Sequence, residues 1–261
     1  RYTYVDLNRT GTPLIEIVSE PDIRSADEAH AYLTVMKQVL QYIAVSTCDM
    51  EKGHLRCDAN VSVMLKGADK FGTKAEVKNL NSFRFLKMAV DQEIERQVAV
   101  VESGGRVVQE TRLFNPSTGE TITMRSKENA HDYRYFPEPD LVPLKISDEW
   151  IARAKAAMPE LPGSRRERFV NEYGLREYDA QVLTAERATA EFFEEVVKTS
   201  GDARAAANWV MGDLAALLKA AEKEITESPV SAGNLGKLIK LIGDGKISGK
   251  IAKELLPKMA E

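Results

Sequence analysis

The sequence is poor in cysteine and has no long apolar run, and both scarcities limit the kind of protein it encodes. Only Cys48 and Cys57 occur in 261 residues, too few for a disulfide framework or a zinc cluster. No stretch approaches the roughly 20 apolar residues that span a bilayer, and no signal peptide opens the sequence as it stands. We therefore expect buried thiols in a reducing cytosol and no membrane partner.

Excess positive charge and glycine-rich nucleotide motifs are also missing. The formal net charge is −4, so the chain is not a general polyanion binder, and any contact with nucleic acid must come from a local patch. Neither a P-loop nor a G-x-G-x-x-G motif occurs, so a nucleotide would have to be held without them.

The residues that are present predict an α+β protein. Hydrophobic residues make up 43% and charged residues 29% of the chain, which supplies ample material for a core. Strand and helix patterns mix up to about residue 126, whereas from Ser147 only helical patterns follow one another. We expect a partial antiparallel sheet with packed helices in residues 1–146 and an all-helical domain in residues 147–261.

Alternating or short apolar runs predict the strands, and capping residues predict the helices. The predicted strands are Pro13–Val18, the alternating runs 55–63 and 73–78 as an antiparallel pair, Arg106–Phe114 and Thr121–Arg125. A capping box at Ser25 and Glu28 opens one helix. Asn81 or Ser82 caps a second helix, which ends before Gly104. Phe192, Phe193 and Trp209 occur at helical spacing and are predicted to lie in the core.

Charged side chains recur on the polar side of the predicted strands. The set comprises Glu16; Arg56, Asp58 and Asn60; Lys74, Glu76 and Lys78; and Glu110 and Arg112. One interpretation is a solvated face, as most antiparallel sheets have. The other is a site for a metal-bound nucleoside triphosphate, because carboxylates bind Mg²⁺ while Arg and Lys bind phosphate. Pattern alone leaves both open.

The last segment is rich in lysine and leaves a second pair of alternatives open. From Ser231 onward it carries Lys237, Lys240, Lys246, Lys250, Lys253 and Lys258. These lysines form either a solvated helix face or a contact with an RNA backbone.

Specific stretches of the sequence resemble a known family. "DLNRTGTPLIEIVSEPD", "LRCDANVSV", "KAEVKNLNSF" and "DYRYFPEPDLVPL" are similar to motifs of the B subunits of tRNA-dependent amidotransferases, the GatB family of bacteria and organelles. "NWVMGDL" and "KLIGDGKISGKIAKELLP" resemble the helical domain of that family. The resemblance covers essentially the whole chain, in the order of the family.

The resemblance implies an activity, cofactors and partners. Members pair with an amidase, the A subunit, and with the small C subunit of the same heterotrimer. They use ATP and Mg²⁺ to phosphorylate the side-chain carboxylate of Glu-tRNA(Gln) and often Asp-tRNA(Asn), and ammonia from the amidase then displaces phosphate. A bacterial, cytoplasmic ligase subunit of translation is the implied function; a non-catalytic module that binds tRNA and partners is the alternative.

The resemblance also implies roles for individual residues. Glu16 and Glu76 correspond to metal-binding glutamates, and Asp58 joins Glu76 as a catalytic candidate. The candidates for contact with the nucleotide or the acyl phosphate are Arg56, Lys74, Lys78, Asn79, Asn81 and Arg134.

The sequence also departs from the family pattern. Upstream motifs of the "GLEVH" and "HMEEDAGK" types, which supply further metal ligands, do not occur, and neither does the tail domain. The first residue is not methionine. We therefore expect a fragment that has little activity by itself.

Overall fold

The structure is a computed structural model that describes residues 3–8, 11–126 and 140–260. It confirms the α+β class, because a four-stranded sheet in the first part of the chain is followed by helices. In these residues no helix is both long enough and apolar enough to cross a membrane.

The elements have the following bounds. The strands are β1 (Ala59–Val61), β2 (Ala75–Lys78), β3 (Glu110–Asn115) and β4 (Glu120–Ser126). The α-helices are α1 (Ala26–Tyr42), α2 (Phe83–Glu102), α3 (Asp148–Ala157), α4 (Pro162–Asn171), α5 (Glu177–Leu183), α6 (Arg187–Ser200), α7 (Ala203–Trp209), α8 (Ala215–Ala220), α9 (Ala232–Gly243) and α10 (Gly249–Lys258). A π-helical turn (Val210–Leu214) joins α7 to α8, and a 3₁₀ turn (Ile225–Glu227) precedes α9.

The sheet is mixed rather than wholly antiparallel, which corrects the expected pairing. Its order is β1-β2-β3-β4. The predicted antiparallel pair is present as β1 and β2, and β3 and β4 form an antiparallel hairpin. However, β2 and β3 are parallel. The reason is that the 20-residue helix α2 connects them, and a helical crossover returns the chain in its original direction.

Side-chain caps begin both helices of the first part, as the sequence predicts. The Ser25 hydroxyl accepts the Glu28 N–H at 3.1 Å. The Glu28 carboxylate accepts the N–H of Arg24, at 2.6 Å, so the second bond of the expected capping box falls one residue earlier. Of the two candidates for capping α2, Ser82 is the one used, and it accepts the Phe85 N–H at 3.1 Å.

Apolar residues form one core cluster between α2 and the sheet and another among the later helices. Val77, Leu86 and Phe114 are buried in the first cluster. The second cluster contains Phe193 and Trp209, which confirms their predicted place in a core. We call the side of the sheet covered by α2 the helix face.

The prediction of a strand at Pro13–Val18 is wrong. No strand is formed there within the described part of the chain, and Leu14 and Val18 are 90% and 82% exposed. A strand is stable only where a neighbouring strand pairs with its backbone. An apolar run in the sequence does not by itself supply such a neighbour.

Candidate functional site

Charged side chains alternate with buried ones along β2. Ala75 and Val77 are fully buried on the helix face, while Glu76 and Lys78 keep side-chain exposures of 17% and 34%. Lys74, just before the strand, is exposed. The alternation predicted from the sequence is thus confirmed within β2, where the Glu76 carboxylate and the Lys78 ammonium lie on the same side.

Asp58, Lys78 and Glu76 form a connected charged cluster, which we call the carboxylate–lysine cluster. The antiparallel pairing of Ala59 with Val77 brings Asp58 next to Lys78. The Lys78 Nζ atom lies 2.6 Å from Asp58 Oδ2 and 3.3 Å from Glu76 Oε1. The hydrogen bond to Asp58 is the main cause that raises the pKa of Lys78; partial burial opposes it, and the two negative charges add to it. The lysine therefore stays protonated at neutral pH.

An open cavity of about 740 Å³ adjoins this cluster. Its walls are residues 50–53, 55–58 and 79–81. Four of the residues predicted for the site line this cavity, namely Arg56, Asp58, Asn79 and Asn81. Arg56 and Asp58 are exposed, so a cation and a carboxylate are both available to a ligand here.

Asn79 shapes the wall of the cavity through its backbone and its side chain. Its φ of 69° lies in the left-handed region, which Asn tolerates better than most residues. Its Nδ2 donates to the Phe114 carbonyl at 3.0 Å, and its Oδ1 accepts from Asn81 Nδ2 at 3.0 Å. The Asn79 amide thus anchors the turn between β2 and α2 to β3.

Glu110 and Arg112 do not extend the charged side of β2, contrary to the sequence interpretation. A register shift between Thr111 and Arg112 interrupts the β3–β4 ladder. Arg112 is 8% exposed and donates to Glu110 and, at 2.8 Å, to Thr121 Oγ1. Its Nε lies 3.4 Å from the buried Glu93 carboxylate on α2, so Arg112 belongs to the helix face.

Thr111 is the residue at the site that the sequence interpretation missed. It is paired with Glu76 across the parallel strands, and its hydroxyl donates to Glu76 Oε2 at 2.9 Å. No local signal marks it, because the register of β2 against β3 depends on the length and packing of α2.

Three predicted site residues are placed neither in the cluster nor in the cavity wall. Lys74 is exposed just before β2. Glu16 is exposed on the irregular stretch before α1, and Arg134 lies outside the described residues. Within the described ranges, no three or more His, Cys, Asp or Glu residues come together as a metal site. Asp58 and Glu76 nevertheless fit Mg²⁺, which proteins commonly hold by one or two carboxylates while phosphate oxygens and water complete the shell.

The two thiols behave as structural groups. Cys48 is buried and Cys57 half-buried, and both are free. Burial, with a smaller contribution from the Asp58 charge, raises the pKa of Cys57 to about 11. Cys57 is therefore a poor nucleophile at neutral pH.

The chain is similar to known proteins along most of its length. Residues 1–152 match the model of the GatB/GatE catalytic domain, and residues 191–261 match that of a GatB domain. The B subunit of the aspartyl/glutamyl-tRNA(Asn/Gln) amidotransferase of Geobacter sulfurreducens is 57% identical over 255 residues, covering 98% of this chain and 53% of the relative. The protein of the same name from Carboxydothermus hydrogenoformans is 54% identical over 258 residues, covering 99% of this chain and 54% of the relative.

The chain thus spans about half the length of the curated relatives it matches. One family model accounts for more than half of its residues and includes the sheet, the cavity and the carboxylate–lysine cluster. The chain therefore belongs to the GatB/GatE catalytic domain family.

Proposed function

We propose that this chain is part of the B subunit of a tRNA-dependent amidotransferase, and that it activates the side-chain carboxylate of Glu-tRNA(Gln), Asp-tRNA(Asn) or both with ATP and Mg²⁺. Its partners would be the amidase, which is the A subunit, and the small C subunit, in the bacterial cytoplasm. The observation that carries the proposal is the placement of the Asp58 and Glu76 carboxylates around the Lys78 ammonium, at the edge of an open polar cavity.

The chemistry explains why such a site is needed. A carboxylate does not react with ammonia because oxide is a poor leaving group. If a carboxylate oxygen attacks the γ-phosphorus of ATP, the bond from that phosphorus to the β,γ-bridging oxygen breaks, and ADP leaves. Ammonia can then attack the carbonyl carbon of the acyl phosphate, and inorganic phosphate departs. The phosphoryl step depends chiefly on positioning and on neutralising phosphate charge.

The carboxylate–lysine cluster supplies groups for both tasks. Bound Mg²⁺ would neutralise charge on the phosphate oxygens, with Asp58 and Glu76 as its protein ligands. Lys78 holds these two carboxylates through one ammonium. Because an ammonium has three donors, the third can point toward a phosphate oxygen. Its raised pKa keeps the charge in place for this role.

The cavity suits the nucleotide. Its volume of about 740 Å³ is within the range of roughly 300 to 1,000 Å³ typical of small-molecule sites. Arg56 and Lys52 line it as cations, and Arg56 can bind a phosphate through two parallel hydrogen bonds. We assign Asn79 to support of the wall, because both its Nδ2 and its Oδ1 bond within the protein. We assign the exposed Asn81, which gives its Nδ2 to Asn79, to ligand contact through its side-chain oxygen.

The lysine-rich helices favour a tRNA contact as a second part of the function. Lys237, Lys240, Lys250 and Lys258 are exposed on α9 and α10. Cations on adjacent helices can neutralise successive phosphates of an RNA backbone. This feature is also what the alternative function, a binding module without catalysis, would use.

Substitutions in the native protein that contains this sequence, assembled with its partners, test the catalytic assignment. Glu76→Gln and Asp58→Asn retain side-chain size and remove the charge that a hard cation prefers. We expect each to lower ATP-dependent amidation on the order of 100-fold, with ammonium chloride supplied directly so that the amidase is not needed. Asp27→Asn is the matched control, because Asp27 also pairs with a lysine, Lys87, but away from the cavity.

The same variants separate the two functions. Loss of amidation with unchanged tRNA binding and an unchanged circular dichroism spectrum supports the catalytic role. Wild-type amidation rates in both Glu76→Gln and Asp58→Asn would contradict it and would leave the binding module as the better description.

The tRNA contact has its own test. Replacing Lys237, Lys240 and Lys250 together with Ala should weaken tRNA binding and reduce the slope of log affinity against log salt by about 0.7 to 0.9 for each lost phosphate contact. The control removes an equal charge from Lys198, Lys219 and Lys223, which are exposed on or beside other helices. Equal slopes for the two triple variants would show that the lysines of α9 and α10 only face solvent.

A further inference from the structure

One uncharged side chain, Thr111, holds the carboxylate at the centre of the proposed site. Its hydroxyl donates to Glu76 Oε2 at 2.9 Å, and Thr111 is only 1% exposed. The two residues are direct partners in the parallel register of β2 and β3. The strand pairing and the burial of Thr111 therefore fix the position of its hydroxyl next to Glu76.

The two oxygens of Glu76 have different partners. Oε2 accepts from Thr111, whereas Oε1 lies 3.3 Å from Lys78 Nζ. Contacts at both oxygens restrict rotation of the carboxylate about its terminal bond.

We infer that Thr111 is a positioning residue, whose hydroxyl sets the orientation in which Glu76 meets the metal-bound nucleotide. This inference rests on the proposed function. A hydroxyl suits the task because it is neutral: it orients the carboxylate without cancelling its charge and without competing for phosphate oxygens. Groups that orient metal ligands in this way commonly contribute 10- to 100-fold to metal affinity or activity.

The test compares three threonine variants of the native protein with Glu76→Gln. Thr111→Val removes the hydroxyl and keeps the shape, and Thr111→Ser keeps the hydroxyl. Thr123→Val is the matched control, because Thr123 lies on β4 and accepts a hydrogen bond from Arg112 instead. The probe is Mn²⁺, followed by electron paramagnetic resonance in the presence of a non-hydrolysable ATP analogue, with kcat and KM for ATP and the melting temperature measured alongside.

We expect Thr111→Val to weaken Mn²⁺ binding about 10-fold or more, while Thr111→Ser and Thr123→Val bind like the wild type. In a Glu76→Gln background, Thr111→Val should cause little further loss, because it acts through Glu76. If Thr111→Val is poorly folded, Thr111→Ala takes its place: a loss in alanine that is absent in Thr111→Ser supports the role, and equal affinities in the two variants overturn it.

The remaining outcomes distinguish a failure of this inference from a failure of the proposed function. Weak binding in Glu76→Gln together with wild-type binding in Thr111→Val overturns the role of Thr111 and leaves the proposed site intact. Wild-type binding in both variants overturns the metal site itself, and the role of Thr111 with it.

Discussion

The Tyr42 hydroxyl donates a hydrogen bond of 2.7 Å to the carbonyl of Thr184, 142 residues later in the chain. Tyr42 is 1% exposed, and its own carbonyl accepts from Arg187 at 3.2 Å. Tyr42 is the last residue of α1, and Thr184 directly follows α5. These two bonds therefore attach the later helices to the part of the chain that carries the candidate site.

Removing the Tyr42 hydroxyl should weaken this attachment. Tyr42→Phe deletes the donor and leaves the ring in place, so we expect the free energy of unfolding to fall by about 1 kcal/mol. Chemical denaturation at pH 7 measures the change. Tyr32→Phe is the control, because Tyr32 lies on the same helix but is 37% exposed. Equal effects of the two substitutions would contradict a special role for the Tyr42 bond.

The same residue predicts a pH dependence. Burial raises the pKa of Tyr42 to about 12 from 10.0, although the nearby Arg165 opposes the shift. Because the folded state holds this proton more tightly, the stabilisation is complete below the unfolded pKa and is lost as pH rises from 10 toward 12. The stability advantage of the wild type over Tyr42→Phe should therefore shrink between pH 9 and pH 11.5. An advantage that stays constant over that range would contradict the assignment.

Local pattern was enough to predict the elements that lie on either side of the site. The alternation at residues 73–78 correctly gave a strand with Glu76 and Lys78 away from the core, and Ser82 and Gly104 bounded α2 closely. Such features depend on side-chain periodicity and on caps, both of which are encoded within a few residues.

Long-range pairing was not predictable in the same way. The sequence pattern puts Arg112 on the same polar side as Glu76, but in the parallel register Thr111 is the partner of Glu76 and Arg112 lies on the helix face. An alternating strand indicates which residues share a face, but not which face that is, and a slip of one residue reverses it. The apolar residues of Pro13–Val18 favour a strand but do not specify a pairing partner, and no strand forms there, in a stretch that the structure describes.

The buried carboxylate of Glu93, on the helix that covers the sheet, should also contribute to the free energy of unfolding. Glu93 on α2 is 0% exposed and receives hydrogen bonds from Arg96 and Gln97. Removing its charge leaves Arg112, 3.4 Å away, with one fewer counter-charge. We expect Glu93→Gln to lower the free energy of unfolding by about 3 kcal/mol at pH 7, measured by urea denaturation. Glu95→Gln, exposed on the same helix, should change it little.

Acid pH should reduce this difference. Burial alone would raise the pKa of Glu93, but the hydrogen bonds from Arg96 and Gln97 and the charges of Arg96 and Arg112 outweigh it and hold the pKa below its usual range. The stabilisation is therefore present above the unfolded pKa of about 4.3 and is lost as pH falls through the lower folded value. If the difference in free energy of unfolding between wild type and Glu93→Gln became larger in acid, the pKa of Glu93 would be raised on folding and not lowered.

Two glycines of α9 offer a closing test of how the later helices pack. A Cβ atom added at Gly236 would lie 2.5 Å from Thr199 Cβ and 3.0 Å from the Val196 carbonyl oxygen on α6, whereas one added at Gly233 would meet nothing within 4 Å. Alanine favours a helix more than glycine does at both positions. The two variants therefore differ mainly in the contact with α6. We expect Gly236→Ala to destabilise by about 2 kcal/mol through overpacking, and Gly233→Ala to stabilise by about 0.5 kcal/mol. Urea denaturation of both variants gives the comparison, and a stabilising Gly236→Ala would mean that α6 and α9 are not packed this closely.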